Sequence, residues 1–199
     1  MPERPDKQRR LTADDWTAAA LEAMAGGGLA AVAVEPLAAR LGATKGSFYW
    51  HFADRDALIE AAVLRWEREH TDAVITFVDA EPDPLARLRL LIGAVLGSTT
   101  QQPEGNIELA MLATAAHPYV APVLTRVTER RVAYTAGLFS ALGWPPEQAR
   151  RRGLLAVTAY VGHAQVAHVA PGTLPRTEAD RRQYVDQVIR LLTAPEDAG

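Results

Sequence analysis

Apolar residues recur every three or four positions along most of the chain, which is the spacing of one face of an α-helix. Trp16, Ala19, Ala20, Ala23 and Met24 form the first such stripe. No stretch of useful length alternates apolar and polar residues, as a half-buried strand would. The pattern therefore predicts an all-α protein of about nine helices.

Capping residues and helix breakers set the expected boundaries of these helices. Thr12 followed by Asp15 is a variant of the capping box, and Asp54 and Thr177 are candidate N-caps. Asp54 opens a helix of about 25 residues that Pro82 stops. Five further helices are expected near residues 84–99, 107–116, 121–142, 146–169 and 178–193, with residues 101–105 as a loop.

Residues 35–56 have a different pattern, with two short helices separated by a tight turn. Gly42 ends the first helix because it tolerates positive φ, and Thr44 caps the second. Phe48 and Phe52 are four residues apart and share an inward face. The opposite face carries Gly46, Ser47, Tyr49 and Trp50. A helix, a glycine-containing turn and a second helix form the helix-turn-helix pattern, whose second helix enters the DNA major groove.

The segment LAARLGATKGSFYWHFADRDAL resembles the DNA-binding signature of the TetR/AcrR family of bacterial transcriptional regulators. The similarity extends over residues 11–66, and only length and helical pattern agree beyond them. It implies a helix-turn-helix domain (11–56) and a ligand-binding and dimerisation domain (57–199). The residues before them form a candidate flexible basic arm (1–10) that contacts DNA, and a solvated tail is the alternative. At the start of the first helix of the motif, where the family usually has Ser or Thr, this chain has Ala33.

The resemblance and the outward face of the second helix together predict the DNA contacts. Lys45 and Ser47 offer hydrogen bonds to bases or phosphates, and Gly46 allows a close approach. Trp50 could touch a thymine methyl group. The alternative is an aromatic cluster that only stabilises the domain. The complete expected set is Thr44, Lys45, Gly46, Ser47, Tyr49, Trp50, His51 and Arg55.

The net charge of the chain does not support the prediction of DNA binding. The chain carries −3, and residues 1–56 hold seven Lys/Arg against eight Asp/Glu. DNA binding therefore needs a local basic surface rather than a basic domain. Its candidates are Lys7, Arg9, Arg10, Lys45 and Arg55.

The resemblance also implies an effector cavity in the C-terminal half. Polar and aromatic residues among apolar helix positions are its candidates, although ordinary core packing is the alternative for each. They are Trp66, His70, Glu108, Met111, Thr114, Tyr134 and Tyr160. The expected function is a repressor released from its operator by a small, largely apolar ligand. The alternative is a ligand-independent or activating dimeric DNA-binding protein.

The last two helices, residues 146–169 and 177–193, are expected to form the homodimer interface. The first of them contains a row of small residues that permits close helix approach: Ala156, Ala159, Gly162, Ala164 and Ala167. Arg150, Arg151 and Arg152 in the same helix are interpreted as a solvated run.

Several classes of function are not expected. The chain has no cysteine, so it forms no disulfide and has no thiolate site. His117, His163 and His168 lack the spacing of a metal site, and no catalytic motif is found. We expect no catalytic residue, no metal, no cofactor, no membrane span and a cytoplasmic protein.

Overall fold

The computed structural model describes residues 10–100 and 107–195. The expected loop and all but the last residue of the expected arm lie outside these described residues. Within them every regular element is helical, and no strand is present. None of the helices in these two ranges combines the length and apolar character that a membrane span requires.

Three short helices build the N-terminal unit: α1 (Ala13–Gly27), α2 (Val34–Arg40) and α3 (Lys45–Tyr49). The expected capping box forms, because the Thr12 side chain accepts from the Asp15 backbone N–H while the Asp15 carboxylate accepts from that of Thr12. Gly42 has a φ of 63°, which lets the chain reverse between α2 and α3. These local signals were sufficient to place the turn.

The long connecting helix is continuous but not uniform. It consists of α4 (Arg55–Glu67), a π-helical segment (Arg68–Asp72) and α5 (Ala73–Asp79). Its N-cap is Asp54, which accepts a hydrogen bond from the Ala57 N–H at 2.8 Å. The sequence predicted the extent of this helix but not its π-helical segment.

Five further helices complete the described part of the chain. They are α6 (Pro84–Thr100), α7 (Ile107–Ala113), α8 (Ala121–Ala141), α9 (Pro146–Val169) and α10 (Glu178–Thr193). With α4, the π-helical segment and α5 counted as one continuous helix, the two described ranges contain nine helices, as predicted. Helix α7 ends three residues earlier than the sequence suggested, in a series of turns.

Two apolar cores hold these helices together. The first joins α1 to α4 with α7 and the start of α8 and includes Trp16, Phe48, Trp66 and Met111. The second joins α6, α8, α9 and α10 around Phe139. The N-terminal core therefore continues beyond residue 56, and α7 packs directly against α1. This packing physically links the helix-turn-helix to the C-terminal half.

Candidate nucleic-acid interface and ligand pocket

Helix α3 is anchored by one aromatic face and exposes the other. The Phe48 ring is fully buried, 5.4 Å from the Trp16 ring and 5.6 Å from the Phe52 ring. Tyr49 is 54% exposed and Trp50, just after the helix, is 81% exposed. A monomeric protein gains nothing by exposing these two large rings together, so they indicate a docking surface.

The N-terminal end of α3 carries small and basic groups. The Thr44 hydroxyl caps the helix by accepting from the Ser47 N–H at 3.2 Å. Gly46 is exposed, and a Cβ placed on it would meet only the Thr44 hydroxyl oxygen, at 3.7 Å. Packing within the chain therefore does not require a glycine there. The lack of a side chain at Gly46 would therefore affect only a molecule that approaches α3 from outside the chain.

Lys45 and Arg55 differ in what they offer to DNA. Lys45 is exposed and ion-paired with Glu35 of α2 at 2.9 Å. Arg55 donates to the carbonyl oxygens of Val32 and Leu29, at 2.6 and 2.5 Å, and so anchors the turn before α2. The Arg55 guanidinium therefore stabilises the fold through these two hydrogen bonds, whereas Lys45, among the described residues, makes only a surface ion pair.

The rest of the predicted DNA-binding set lies on or beside this exposed face. Ser47 and His51 are half-buried. Ala33 is the N-cap of α2 and makes no side-chain capping bond, as its sequence position implied. Arg10 is exposed; the other arm cations, Lys7 and Arg9, fall outside the described residues.

A largely apolar pocket lies between the connecting helix and α6, α8 and α9. It is open to solvent, and about 520 Å³ within it, open solvent at the mouth included, is not filled by protein atoms. We call it the central pocket. Its apolar walls are formed by Val74, Ile75, Leu91, Ile92, Val95, Ala156 and Val157. Its polar lining consists of His70, Thr71, Arg131, Tyr134, Thr135 and Tyr160.

Arg131 organises the polar end of the central pocket. Its guanidinium donates to Glu108 Oε1 at 2.8 Å, to the Thr71 hydroxyl at 3.1 Å and to the His70 carbonyl oxygen at 3.1 Å. It also lies 5.3 Å from the Trp66 ring and 5.6 Å from the Tyr160 ring. Three contacted residues, Trp66, His70 and Thr71, belong to the connecting helix, so Arg131 joins that helix to α7 and α8.

Burial shifts the ionisation of the aromatic polar groups in this pocket. Desolvation lowers the pKa of His70, so its imidazole is neutral near pH 7. Desolvation also raises the pKa of the Tyr160 hydroxyl, which donates to Glu108 Oε2 at 3.3 Å. The pKa of Tyr134 is raised by burial and by its hydrogen bond to Asp79.

The seven predicted ligand residues separate into two groups. His70, Tyr134 and Tyr160 line the central pocket, and Glu108 bonds to Arg131 and Tyr160 of its lining. Trp66 and Met111 are fully buried in the N-terminal core instead. Thr114 also lies outside the lining, and its hydroxyl donates to the Ala110 carbonyl oxygen.

Sequence reasoning missed Arg131, the central residue of the polar end. It lies in the run Glu129-Arg130-Arg131, which is typical of a solvated helix face. Its acidic partner Glu108 was identified in the sequence. A buried carboxylate needs a cation, and this need was the only signal that could have pointed to Arg131.

No group of three or more His, Asp or Glu residues within the described ranges could hold a metal ion. His163 is a core residue whose ring stacks on that of Tyr184 at 5.7 Å. Desolvation lowers the pKa of His163.

An exposed aromatic helix in a helix-turn-helix, joined to a helical body, defines the class of helix-turn-helix DNA-binding regulators. Residues 17–62 match the family described as bacterial regulatory proteins, tetR family. The helix-turn-helix segment belongs to this TetR family, as its sequence motifs predicted. Comparison with curated proteins gave no match.

Solved structures extend the similarity beyond the helix-turn-helix, to between 89% and 92% of the chain. A transcriptional regulator from Rhodococcus sp. Rha1 has a TM-score of 0.73 at 20% identity, covering 92% of this chain and 96% of that one. A TetR transcriptional regulator from Legionella pneumophila has a TM-score of 0.73 at 15% identity, with coverage of 89% and 96%. A TetR-family regulator from Streptomyces coelicolor has a TM-score of 0.71 at 19% identity, with coverage of 90% and 89%. The chain therefore has the fold of TetR-family transcriptional regulators.

Proposed function

We propose that this chain is a dimeric transcriptional repressor that leaves its operator when a small, largely apolar ligand occupies the central pocket. The observation that carries this proposal is the Arg131–Glu108 ion pair. Arg131 lines the pocket, and Glu108 belongs to α7, which packs against α1 of the DNA-binding unit. A ligand that shifts Arg131 together with its paired Glu108 would therefore act on the support of the helix-turn-helix.

The same contacts favour ligand control over constitutive DNA binding. The connecting helix is tied to α8 at three successive places, by Glu67–Arg126, Asp72–Arg130 and Thr71–Arg131. An equilibrium between two positions of these helices can be shifted only by a ligand that binds one position more tightly. The central pocket is lined by residues of both the connecting helix and α8, so a ligand there would contact the two elements whose relative position these bonds hold.

For DNA recognition, we assign the direct contacts to Lys45, Gly46, Ser47, Tyr49 and Trp50. Thr44 and His51 lie at the two ends of this surface. Arg55 acts by holding the turn before α2. Phosphate contacts and base-edge contacts both fit the exposed groups, and two linked copies of α3 are needed to bind a palindromic operator.

The second copy would dock on α9 and α10. These helices expose a set of apolar side chains in the single chain: Leu154, Leu155, Val166, Val169, Tyr184 and Leu191. Covering such a surface with the same surface of a second copy gives a two-fold interface. We therefore assign the dimer contact to residues 146–169 and 177–193.

The proposal is tested by selecting binding sequences from a random duplex DNA pool and measuring their affinity by fluorescence anisotropy. Compounds that raise the melting temperature of the protein are then added to the complex. We expect at least one such compound to weaken operator binding by tenfold or more. Operator affinity unaffected by every stabilising compound would favour the ligand-independent alternative, and failure to select any duplex would reject the DNA-binding function.

A further inference from the structure

The polar side chains that line the central pocket differ in how many of their hydrogen-bonding groups are already used within the protein. The guanidinium of Arg131 donates to three acceptors, one of which is the Thr71 hydroxyl. The Tyr134 hydroxyl donates to Asp79, and the Thr135 hydroxyl to the Arg131 carbonyl oxygen. The protein itself therefore engages each of these side chains at least once, and Tyr134 and Thr135 would each have to give up a bond to donate to a ligand.

His70 is the exception among the lining residues. Its carbonyl oxygen accepts from Arg131, but within the described residues its imidazole makes no hydrogen bond. Because burial keeps it neutral, the ring has one N–H donor and one ring nitrogen acceptor. A half-buried ring with both capacities unused can bind a ligand group that donates, accepts or does both.

Charge in the pocket is already balanced. Arg131 and Glu108 are 2.8 Å apart, and their side chains are only 14% and 5% exposed. A carboxylate ligand would be attracted by Arg131 but repelled by Glu108 behind it. An ammonium ligand would be attracted by Glu108 but repelled by Arg131. Either ion would lose its hydration in a pocket whose lining, among the described residues, offers no uncompensated opposite charge.

We propose that the central pocket binds an uncharged, largely apolar molecule with one hydroxyl or carbonyl group, which hydrogen-bonds to the His70 imidazole. The role of this ligand as an effector rests on the proposed function, whereas its chemical class rests on the pocket lining alone. The apolar part of the ligand lies against Val74, Leu91 and Val157, which belong to three of the helices that form the pocket wall. Arg131 and Glu108 exclude charged analogues by remaining paired to each other.

Three probes of matched shape test the charge preference: 4-propylbenzyl alcohol, 4-propylbenzoate and 4-propylbenzylammonium. Binding to the full-length protein is measured by isothermal titration calorimetry at pH 7.5. We expect the alcohol to bind, and the benzoate and the ammonium ion to bind at least tenfold more weakly. A benzoate or ammonium ion that binds as tightly as the alcohol, or absence of alcohol binding, overturns the proposed ligand class.

Two substitutions test the role of His70. The His70→Phe variant keeps an aromatic ring but removes both hydrogen-bonding nitrogens, and should weaken alcohol binding about tenfold. The His70→Asn variant keeps a donor and an acceptor, and should lose less. Thr114→Val is the matched control, because Thr114 lies in the same domain but outside the lining, and it should bind as the wild type does.

The outcomes separate this inference from the proposed function. Alcohol affinity unchanged in a folded His70→Phe variant would remove His70 from the site. Operator affinity is measured separately in the presence of saturating alcohol. Alcohol that binds through His70 without weakening operator binding supports the ligand class and rejects ligand-induced release.

Discussion

Lys45 Nζ lies 2.9 Å from Glu35 Oε1, so the only lysine of helix α3 is paired with an acid of α2 on the candidate DNA-binding face. This hydrogen bond and charge raise the pKa of Lys45. Both side chains are more than half exposed, and an ion pair of this kind contributes little to stability. In the proposed DNA complex Glu35 would therefore compete with phosphates for Lys45 and add a negative charge where DNA approaches.

The first prediction concerns this pair. Glu35→Gln should increase affinity for non-specific duplex DNA because it releases Lys45 and removes a repulsive charge. If Lys45 gains one phosphate contact, the slope of log affinity against log salt should steepen by about 0.9. Anisotropy titrations from low to moderate salt measure both quantities. Glu178→Gln, which changes an exposed, arginine-paired acid in α10, is the control. Unchanged affinity and slope would show that Glu35 does not limit DNA binding.

The second prediction concerns Gly46. Gly46→Ala should leave the free energy of unfolding unchanged or raise it by up to about 1 kcal/mol, because alanine is the better helix former and the added Cβ fits. The same methyl group should weaken operator binding if DNA lies against α3. Urea unfolding and anisotropy measure the two effects. A variant that binds DNA as well as the wild type would place the DNA elsewhere.

The sequence predicted elements whose causes are local. Thr12, Thr44, Asp54 and Thr177 cap helices because each side chain reaches a backbone N–H three residues ahead. The exposed face of α3 could also be predicted from the sequence. The four-residue spacing of Phe48 and Phe52 alone places these two rings on the opposite, inward face.

Features that depend on distant partners were not predicted. The interpretation of Arg152 as part of a solvated run is wrong. It is buried, lies 3.6 Å from the Trp144 ring and donates to the carbonyl oxygens of Leu192 and Ala194. Local sequence cannot show that the end of α10 offers acceptors there. The same applies to Met111, since the arrangement of α7 decides whether it faces the core or the central pocket.

The third prediction uses the Glu67–Arg126 pair. Two hydrogen bonds, at 2.8 and 2.5 Å, join these side chains and lower the pKa of Glu67. Glu67→Gln should reduce the free energy of unfolding at pH 7 by about 1–2 kcal/mol, because Arg126 is half exposed and screening weakens the pair.

The pH dependence of this effect follows from the direction of the shift. A lowered folded-state pKa stabilises the protein above the unfolded value of 4.5 and loses this contribution as pH falls through the folded pKa. The stability difference between wild type and Glu67→Gln should therefore shrink below about pH 4.5. Glu60→Gln, which changes an exposed acid of the same helix, should show no such convergence. A difference that stays constant with pH would contradict the assignment.

The fourth prediction contrasts Gly153 of α9 with Gly137 of α8. A Cβ on Gly153 would lie 2.8 Å from the Ala136 nitrogen and 2.9 Å from the Val132 carbonyl oxygen, both of which are backbone atoms of α8. Gly153→Ala should therefore separate α8 from α9 and destabilise the protein by about 1–3 kcal/mol. Gly137→Ala of α8, outside the proposed dimer interface, has open space and should be neutral or stabilising in thermal unfolding. Equal effects of the two substitutions would mean that α8 and α9 do not pack this closely.

The fifth prediction tests the proposed dimer at Gly162. A Cβ there would meet nothing within 4 Å in the single chain, and the residue lies on the helix that exposes Leu155 and Val166. Gly162→Trp should therefore leave each folded chain intact but prevent the close approach of two copies of α9. Analytical ultracentrifugation should show a wild-type dimer and a dissociated variant, and circular dichroism should show the same helix content.

Gly137→Trp is the matched control, since Gly137 also has open space but belongs to α8, outside the proposed interface. This variant should remain dimeric. Loss of the dimer should also weaken binding to a palindromic duplex far more than binding to a single half-site, because only the former requires two linked recognition helices. A wild-type protein that is monomeric at micromolar concentration, or a Gly162→Trp variant that stays dimeric, would exclude α9 as the centre of the interface.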